Sequence, residues 1–125
     1  MTARVQNNGL ARITSLLVAA SWWLQWGTGS AAAATANVVT TTTTTESRVS
    51  ASAAQGTTTV TNDNMTLTGT ITAAGSRAIT EVGAFDAVGS GSPPTGGNMD
   101  VYADFTVINL ATNDSIAFTI KVTFS

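Results

Sequence analysis

Few residues in this chain of 125 could carry out chemistry, because it contains no cysteine and no histidine. Their absence excludes zinc sites of the Cys/His type, thiol nucleophiles and Ser-His-Asp hydrolysis. Carboxylates remain, but hydrolysis by carboxylates needs two of them at a fixed short distance. Since the sequence does not point to such a pair, we predict that the protein is not an enzyme and binds no cofactor.

Glu81 and Asp86 are the local candidates for a catalytic carboxylate pair. Glu81 shares a strand parity with Ile79, so we expect its side chain to be partly buried. A buried carboxylate is usually paired, and Arg77 or Lys121 would supply the cation. We therefore favour a structural ion pair over a catalytic role.

Three aspartates, Asp86, Asp100 and Asp104, flank a loop rich in glycine and proline. Their oxygens are ligands of the kind that Ca²⁺ prefers. The spacing of an EF-hand loop is absent, so we favour solvated acids and predict no metal site. Calcium binding stays open as the alternative.

Charged residues make up 10% of the chain, whereas about 25% is usual. The five cations are dispersed and the net charge is −2, which excludes the basic patch that nucleic acid requires. Hydroxyl, amide and small side chains must cover such a surface. We therefore predict a subunit that is partly covered by other protein chains.

An amphipathic helix is predicted over 8–21, with Asn8 as its N-cap. Its apolar positions recur at helical spacing: Leu10, Ile13, Leu16, Leu17 and Ala20. A secretory signal peptide is the competing interpretation, because Arg4 and Arg12 precede an apolar run and alanines. Polar residues interrupt that run, so we favour a retained helix. The run is also too short for a membrane span.

Three tryptophans, Trp22, Trp23 and Trp26, lie within five residues. The favoured interpretation is that they fill the core where helix meets sheet, with Gly27 and Gly29 forming a turn. They could instead anchor an interface, since tryptophan is common at binding hot spots. Stacking against sugars is a third, weaker interpretation.

Residues 30–56 form a low-complexity tract of alanine, threonine and serine without proline. Threonine and valine are β-branched and favour extended backbone, so we predict an extended arm, with parts of it paired as strands. Exchange of such an arm between subunits would cover its edges. The contact candidates in it are Val38, Val39, Thr40, Thr42 and Thr44.

The remainder, 57–125, reads as an antiparallel β domain following the 1–29 region and the arm. Residues 115–124 alternate apolar and polar most clearly, which predicts a strand with one buried face. Further strands are predicted over 57–62, 64–73, 77–85 and 99–110. A turn at 111–114 predicts a hairpin of the last two strands. We predict a mainly β fold, an antiparallel sandwich or jelly-roll-like domain with one N-terminal helix.

Residues 87–98 are dominated by glycine, serine and proline, which indicates a loop. A loop of this length in a small domain usually serves in binding. Ser92, Pro93 and Pro94 are therefore further contact candidates.

Several segments together resemble small structural proteins of tailed bacteriophages. The segments, in chain order, are Asn7–Leu10, Trp26–Gly29, Ile79–Asp86, Gly96–Met99, Phe105, Ile108–Leu110 and Asp114–Ile120. The likeness covers most of the chain and is weakest over 30–60. Its motifs are structural.

The resemblance implies a capsid cement, or decoration, protein on the exterior of the virion. Such a subunit would bind the major capsid protein, associate as a homotrimer and stabilise junctions of the shell, without nucleic acid or membrane as partners. A tail, fibre or adaptor component of the same particle is the alternative. A secreted carbohydrate-binding β domain is a third hypothesis.

Overall fold

A computed structural model describes residues 1–29 and 45–125, which form one helix and six strands. The elements are α1 (Asn7–Val18), β1 (Trp22–Gly27), β2 (Val49–Gly56), β3 (Asn64–Thr72), β4 (Arg77–Phe85), β5 (Met99–Leu110) and β6 (Ser115–Thr123). All strand pairs are antiparallel, in the order β5-β4-β1-β2-β3-β6. The prediction of a mainly β fold is confirmed, with a single sheet that is nearly barrel-shaped.

The sheet curls until its two outer strands, β5 and β6, approach each other. The rings of Phe105 on β5 and Phe118 on β6 have centroids 6.1 Å apart. A short turn at 111–114 joins the same two strands. One face of the sheet therefore encloses the core.

The core is built from the inward face of each strand, on which every second residue points, except that a bulge between Ile79 and Glu81 changes the inward parity of β4. Leu24 and Leu67 are fully buried there, with Trp26 packed edge-on against Phe118 at 6.4 Å. Further core members are Trp22, Met65, Ile71, Ala73, Ile79, Val82 and Ala84. The inward side chains of β6 confirm the predicted alternation of the last strand.

Helix α1 packs on β2 and β3 through buried Leu10 and Thr14. The Thr14 hydroxyl lies 2.7 Å from the carbonyl oxygen of Asn62 and accepts a hydrogen bond from Gln55 Nε2. The N-cap is Gln6, without a side-chain bond, so the prediction of Asn8 as the cap is wrong. With twelve residues, the helix is too short to span a membrane, and it is the only helix in the described residues.

The predicted hairpin of the last two strands is wrong, although both strands and the turn between them are present. β5 pairs with β4, and β6 pairs with β3 along nine residues. The reason lies in the turn: Asn113 N donates to Ala73 O, and Ala73 N donates to Asp114 O, both at 2.8 Å. These bonds join the turn to the end of β3 and direct β6 along β3.

Two further predictions are corrected at the start of the sheet. Residues 57–62 form turns and no strand. The tryptophan segment is not a turn but the central strand β1, which pairs with β2 and β4. The predicted arm also contributes to the sheet, since Val49–Gly56 is strand β2.

Replacing Leu67 by Ala should lower the free energy of unfolding by about 2–5 kcal/mol, because it removes fully buried methyl groups from the barrel interior. Thr68→Ala, at the exposed neighbour on β3, is the matched control and should change stability by less than about 0.5 kcal/mol. Urea denaturation measures both. Equal losses for the two variants would contradict the assignment of the inward face.

Candidate functional site

The predicted contact residues fall into three groups in the structure. Val38, Val39, Thr40, Thr42 and Thr44 lie outside the described residues. Trp22 and Trp26 are 4% and 1% exposed, so they fill the core and are not available as contact anchors. Trp23 is half-buried on the opposite face of β1 and remains a candidate. Ser92, Pro93 and Pro94 belong to a loop that lies over this outer face.

The loop, residues 86–98, is closed at its base by Asp86 and Asn98. The Asp86 carboxylate accepts hydrogen bonds from Asn98 N at 2.7 Å and Asn98 Nδ2 at 2.9 Å. Asp86 N also donates to Asn98 O at 3.1 Å. The bonds from Asn98 lower the pKa of Asp86, so its charge contributes to closing the loop.

The tip of the loop is a small closed unit. Ser90 and Thr95 exchange backbone hydrogen bonds at 3.0 and 2.9 Å. Gly89 has a φ of +74°, and a Cβ there would lie 2.9 Å from both Arg48 Nη1 and Thr95 O. Glycine is therefore needed at this position both for its conformation and for space.

Arg48 holds the loop to the sheet from beneath. This residue is 4% exposed. Its Nη1 donates hydrogen bonds to the carbonyl oxygens of Ala87 and Gly96, both at 2.9 Å. The central carbon of its guanidinium lies 3.7 Å from the ring centroid of Phe85. Nε donates to Gln25 Oε1 at 2.8 Å. Burial lowers the pKa of Arg48, while the charge of Asp86 acts in the opposite direction.

Gln25 completes this polar layer between sheet and loop. It is buried on the outer face of β1, and its Nε2 donates to Pro94 O at 3.3 Å. Pro94 is buried in consequence, Pro93 is half-buried and Ser92 is exposed. Of the three predicted loop contacts, Ser92 presents the most accessible side chain.

Sequence reasoning missed Arg48 as a site residue. Its partners lie 23 to 48 positions away along the chain, which no local pattern records. One signal was present, because Glu46 and Arg48 are the only charged residues between Arg12 and Asp63. Two charges isolated in an alanine and threonine tract indicate a specific structural role.

Glu46 has such a role near the start of β4. Its carboxylate forms a salt bridge with Arg77 Nε at 3.0 Å and accepts from Ala74 N at 2.8 Å. Burial acts to raise its pKa, but the hydrogen bonds from Ala74 and Trp26 and the charge of Arg77 leave it lowered. Arg77 is thus a partner of Glu46, although the sequence suggested Glu81.

Glu81 is fully buried, whereas partial burial on the face of Ile79 was predicted. A register shift between Ile79 and Glu81 puts Ile79 in the core and Glu81 on the outer face, opposite Gly27. Tyr102 Oη donates to Glu81 Oε2 at 2.7 Å, and Gly29 N donates to Oε1 at 3.3 Å. Across the ladder Glu81 faces Gly27, and its carboxylate occupies the space that a Cβ at Gly27 would need. The role of Glu81 is therefore to bind neighbouring strands and the segment after β1.

Both members of the candidate catalytic pair have structural hydrogen bonds. Glu81 accepts from Tyr102 and Gly29, and Asp86 accepts from Asn98. In the described ranges no three metal-ligating side chains converge.

A cleft of about 540 Å³ lies between the start of α1 and the 57–62 turns. Its lining is polar and formed by Asn7, Asn8, Ala11, Thr59, Val60, Thr61 and Asn62. Asp63 shapes this wall, because its carboxylate accepts from the backbone N–H groups of Thr58, Thr59 and Val60 at 2.7 to 2.9 Å. Among the described residues that line the cleft, none has an acidic or basic side chain.

Comparisons with protein-family models, with curated proteins and with solved structures gave no match to this chain. A functional assignment therefore has to rest on the sequence and on the geometry of the loop and the sheet.

Arg48→Met should destabilise the protein by about 3 kcal/mol, because it leaves the Ala87 and Gly96 carbonyls and the Gln25 amide without their donor. Amide hydrogen exchange at Ser90 and Thr95 should accelerate more than exchange in β3. Arg12→Met, at an exposed helix position, is the control and should change neither quantity. Unaltered exchange in the loop of Arg48→Met would refute the holding role of Arg48.

The 57–62 turns should open in acid. Hydrogen bonds from the N–H groups of Val60 and Thr59, above all, lower the pKa of Asp63 from 3.8 to about 2. Because the folded-state value lies below the unfolded one, this carboxylate stabilises the fold above about pH 4, and its contribution disappears as the pH falls from about 4 to 2.

Asp63→Asn should therefore lower stability at pH 7 and weaken the dependence of the unfolding midpoint on pH between 4 and 2. Thermal unfolding at a series of pH values measures this. Thr68→Ala, which removes no titratable group from an exposed strand position, should retain the wild-type pH dependence. A wild-type profile in Asp63→Asn would disprove the assignment.

Proposed function

We propose that the protein is a non-enzymatic structural subunit of a tailed-phage virion, a cement protein on the capsid exterior that stabilises junctions between major capsid protein subunits. The proposal includes self-association of the subunit. Its basis is the sequence resemblance together with the properties of the surface, and the charge distribution on that surface carries it.

Of the twelve charged residues, seven are engaged in internal hydrogen bonds or salt bridges. They are Glu46, Arg48, Asp63, Arg77, Glu81, Asp86 and Asp114. The side chains of the other five, Arg4, Arg12, Asp100, Asp104 and Lys121, make no hydrogen bond or ion pair within the described residues. A chain of 125 residues with five uncommitted charges presents a surface that is suited to coverage by other chains, because few charges have to be desolvated.

The 86–98 loop offers a preformed contact surface of the kind a cement protein needs. Arg48, Asp86 and Gln25 fix its backbone, so little conformational entropy is lost when a partner binds it. Its exposed positions carry hydroxyl and amide groups together with Val88, which is 51% exposed. The mechanism is mechanical, since buried area added across a junction opposes separation of the shell subunits.

The carbohydrate-binding hypothesis loses its main support, because Trp22 and Trp26 are unavailable for stacking. The tail, fibre or adaptor alternative shares the same surface properties. Immunogold labelling of intact particles separates the two locations: label around the head supports the cement function, and label on the tail supports the alternative.

Heads lacking this protein should release DNA at a lower temperature than complete heads, because junctions lose clamped area. A DNA-dye melting assay on purified particles measures the release. Adding back wild-type protein or Thr61→Arg, which lines the cleft beside α1 and is not part of the loop, should restore the higher temperature. Ser92→Arg, which places a bulky charge on the loop, should not. Identical release temperatures with and without the protein would refute the stabilising function.

A further inference from the structure

The cleft beside α1 has no part in the proposed function, yet its two walls are fixed to each other. On the turn side, the Asp63 carboxylate accepts three backbone hydrogen bonds. On the helix side, the Thr14 hydroxyl lies 2.7 Å from Asn62 O, which belongs to the turns. Gln55 Nε2 on β2 donates to Ala11 O of the helix at 3.0 Å. Because the walls are already ordered, a ligand that enters between them has little of the chain to immobilise.

Polar side chains without internal partners converge on this cleft. Five of its seven lining residues carry a side-chain amide or hydroxyl, and none of these five side chains forms a hydrogen bond within residues 1–29 or 45–125. The five are Asn7, Asn8, Thr59, Thr61 and Asn62. An amide and a hydroxyl each supply a donor and an acceptor. The cleft therefore offers hydrogen bonds of both kinds to a molecule that enters it.

The charges around the cleft favour an uncharged ligand. Among the described residues that line it, none is acidic or basic. The adjacent Asp63 is 2% exposed, and both of its carboxylate oxygens accept hydrogen bonds from the backbone. An ionic ligand would lose hydration here without gaining an opposite charge. The lining thus argues against nucleotides and other phosphorylated molecules.

The size of the cleft and its remaining residues favour a small, hydroxyl-rich ring. The volume of about 540 Å³ lies within the range of about 300–1,000 Å³ that is usual for small-molecule sites. Ala11 and Val60 are half-buried and add a small aliphatic surface. Each hydroxyl of a sugar both donates and accepts a hydrogen bond, as the amides of the cleft do. The C–H groups of a sugar ring match the two aliphatic side chains.

An extended peptide fits the cleft less well. Peptides of this kind usually bind to an open strand edge or to an apolar groove. The strands that the 57–62 turns connect, β2 and β3, pair with each other as far as Gly56 and Asn64. They offer no open edge to each other's side of the cleft, and the cleft is mainly polar.

We propose that the cleft between α1 and the 57–62 turns binds a neutral saccharide. The site is separate from the tryptophans of β1 and from the 86–98 loop, so this function goes beyond the proposed structural one and does not depend on it. The affinity should lie in the millimolar range. No aromatic ring lines the cleft for stacking, and each hydrogen bond to the sugar replaces one to water.

Titration of the isotopically labelled full-length protein with uncharged sugars tests the proposal by nuclear magnetic resonance. The probes are glucose, galactose, mannose and N-acetylglucosamine, each added separately. At least one of them should shift the side-chain amide signals of Asn7, Asn8 and Asn62 in a saturable manner, with a millimolar Kd. Saturable shifts confined to other residues, or no saturable shift with any of these sugars, would overturn the proposal.

Thr61→Val and Thr68→Val form a matched pair of variants. Each removes one hydroxyl from an exposed threonine, but only Thr61 lines the cleft, whereas Thr68 lies on β3. Thr61→Val should weaken binding of the sugar by about threefold to tenfold, as expected for the loss of one hydrogen bond. Thr68→Val should bind like the wild type. Equal affinities of the two variants would overturn the assignment of the cleft.

Thr61→Arg separates this proposal from the cement function. Its long cationic side chain should fill the cleft and abolish the saturable shifts, although the same variant is expected to restore the melting of heads. Sugar binding that persists in Thr61→Arg would refute the cleft as the site. A failure to stabilise heads, with sugar binding intact in the wild type, would refute the cement function alone.

Inorganic phosphate distinguishes a saccharide site from an anion site at the start of the helix. Phosphate should leave the amide signals of Asn7, Asn8 and Asn62 unchanged, because no cation lines the described cleft. Saturation of these signals by phosphate, without a response to any of the sugars, would indicate an anion site and overturn the proposal.

Discussion

Strand β1 must be covered on both of its faces, and the rest of the molecule is arranged around that requirement. Its inward side chains, Trp22, Leu24 and Trp26, are enclosed by the curled sheet. Its outward side includes Gln25, which is equally buried and is polar. A polar group without water needs hydrogen-bond partners, so the second cover must supply them.

The 86–98 loop supplies that cover through Arg48. A buried guanidinium is costly to desolvate, and here the cost is offset by charge-assisted bonds to two carbonyl oxygens and by contact with Phe85. The loop backbone in turn obtains donors it would otherwise lack. A segment of glycine, serine and proline thereby acquires a single conformation, and an exposed loop of fixed shape results.

Alternation of apolar and polar residues predicts strands well where one face of the strand is exposed to solvent. β3 and β6 alternate apolar and polar residues, and both were predicted to within about a residue. β1 was missed because burial of both faces removes the alternation, and its glycine suggested a turn. The β5–β6 hairpin was predicted from the turn, but bonds from that turn to Ala73, 40 positions away, decide the pairing. Such distant contacts also explain why Arg48 was not recognised.

The absence of a side chain at Gly27 leaves the space that the side chain of Glu81 fills. The carboxylate of Glu81 fills the place where a side chain at position 27 would begin, and it also receives the Tyr102 hydroxyl. A larger residue at 27 would therefore push the carboxylate of Glu81 away from the Tyr102 hydroxyl. Descendants of a common ancestor should change these three sites in concert, which offers a way to recognise distant kin whose remaining residues have diverged.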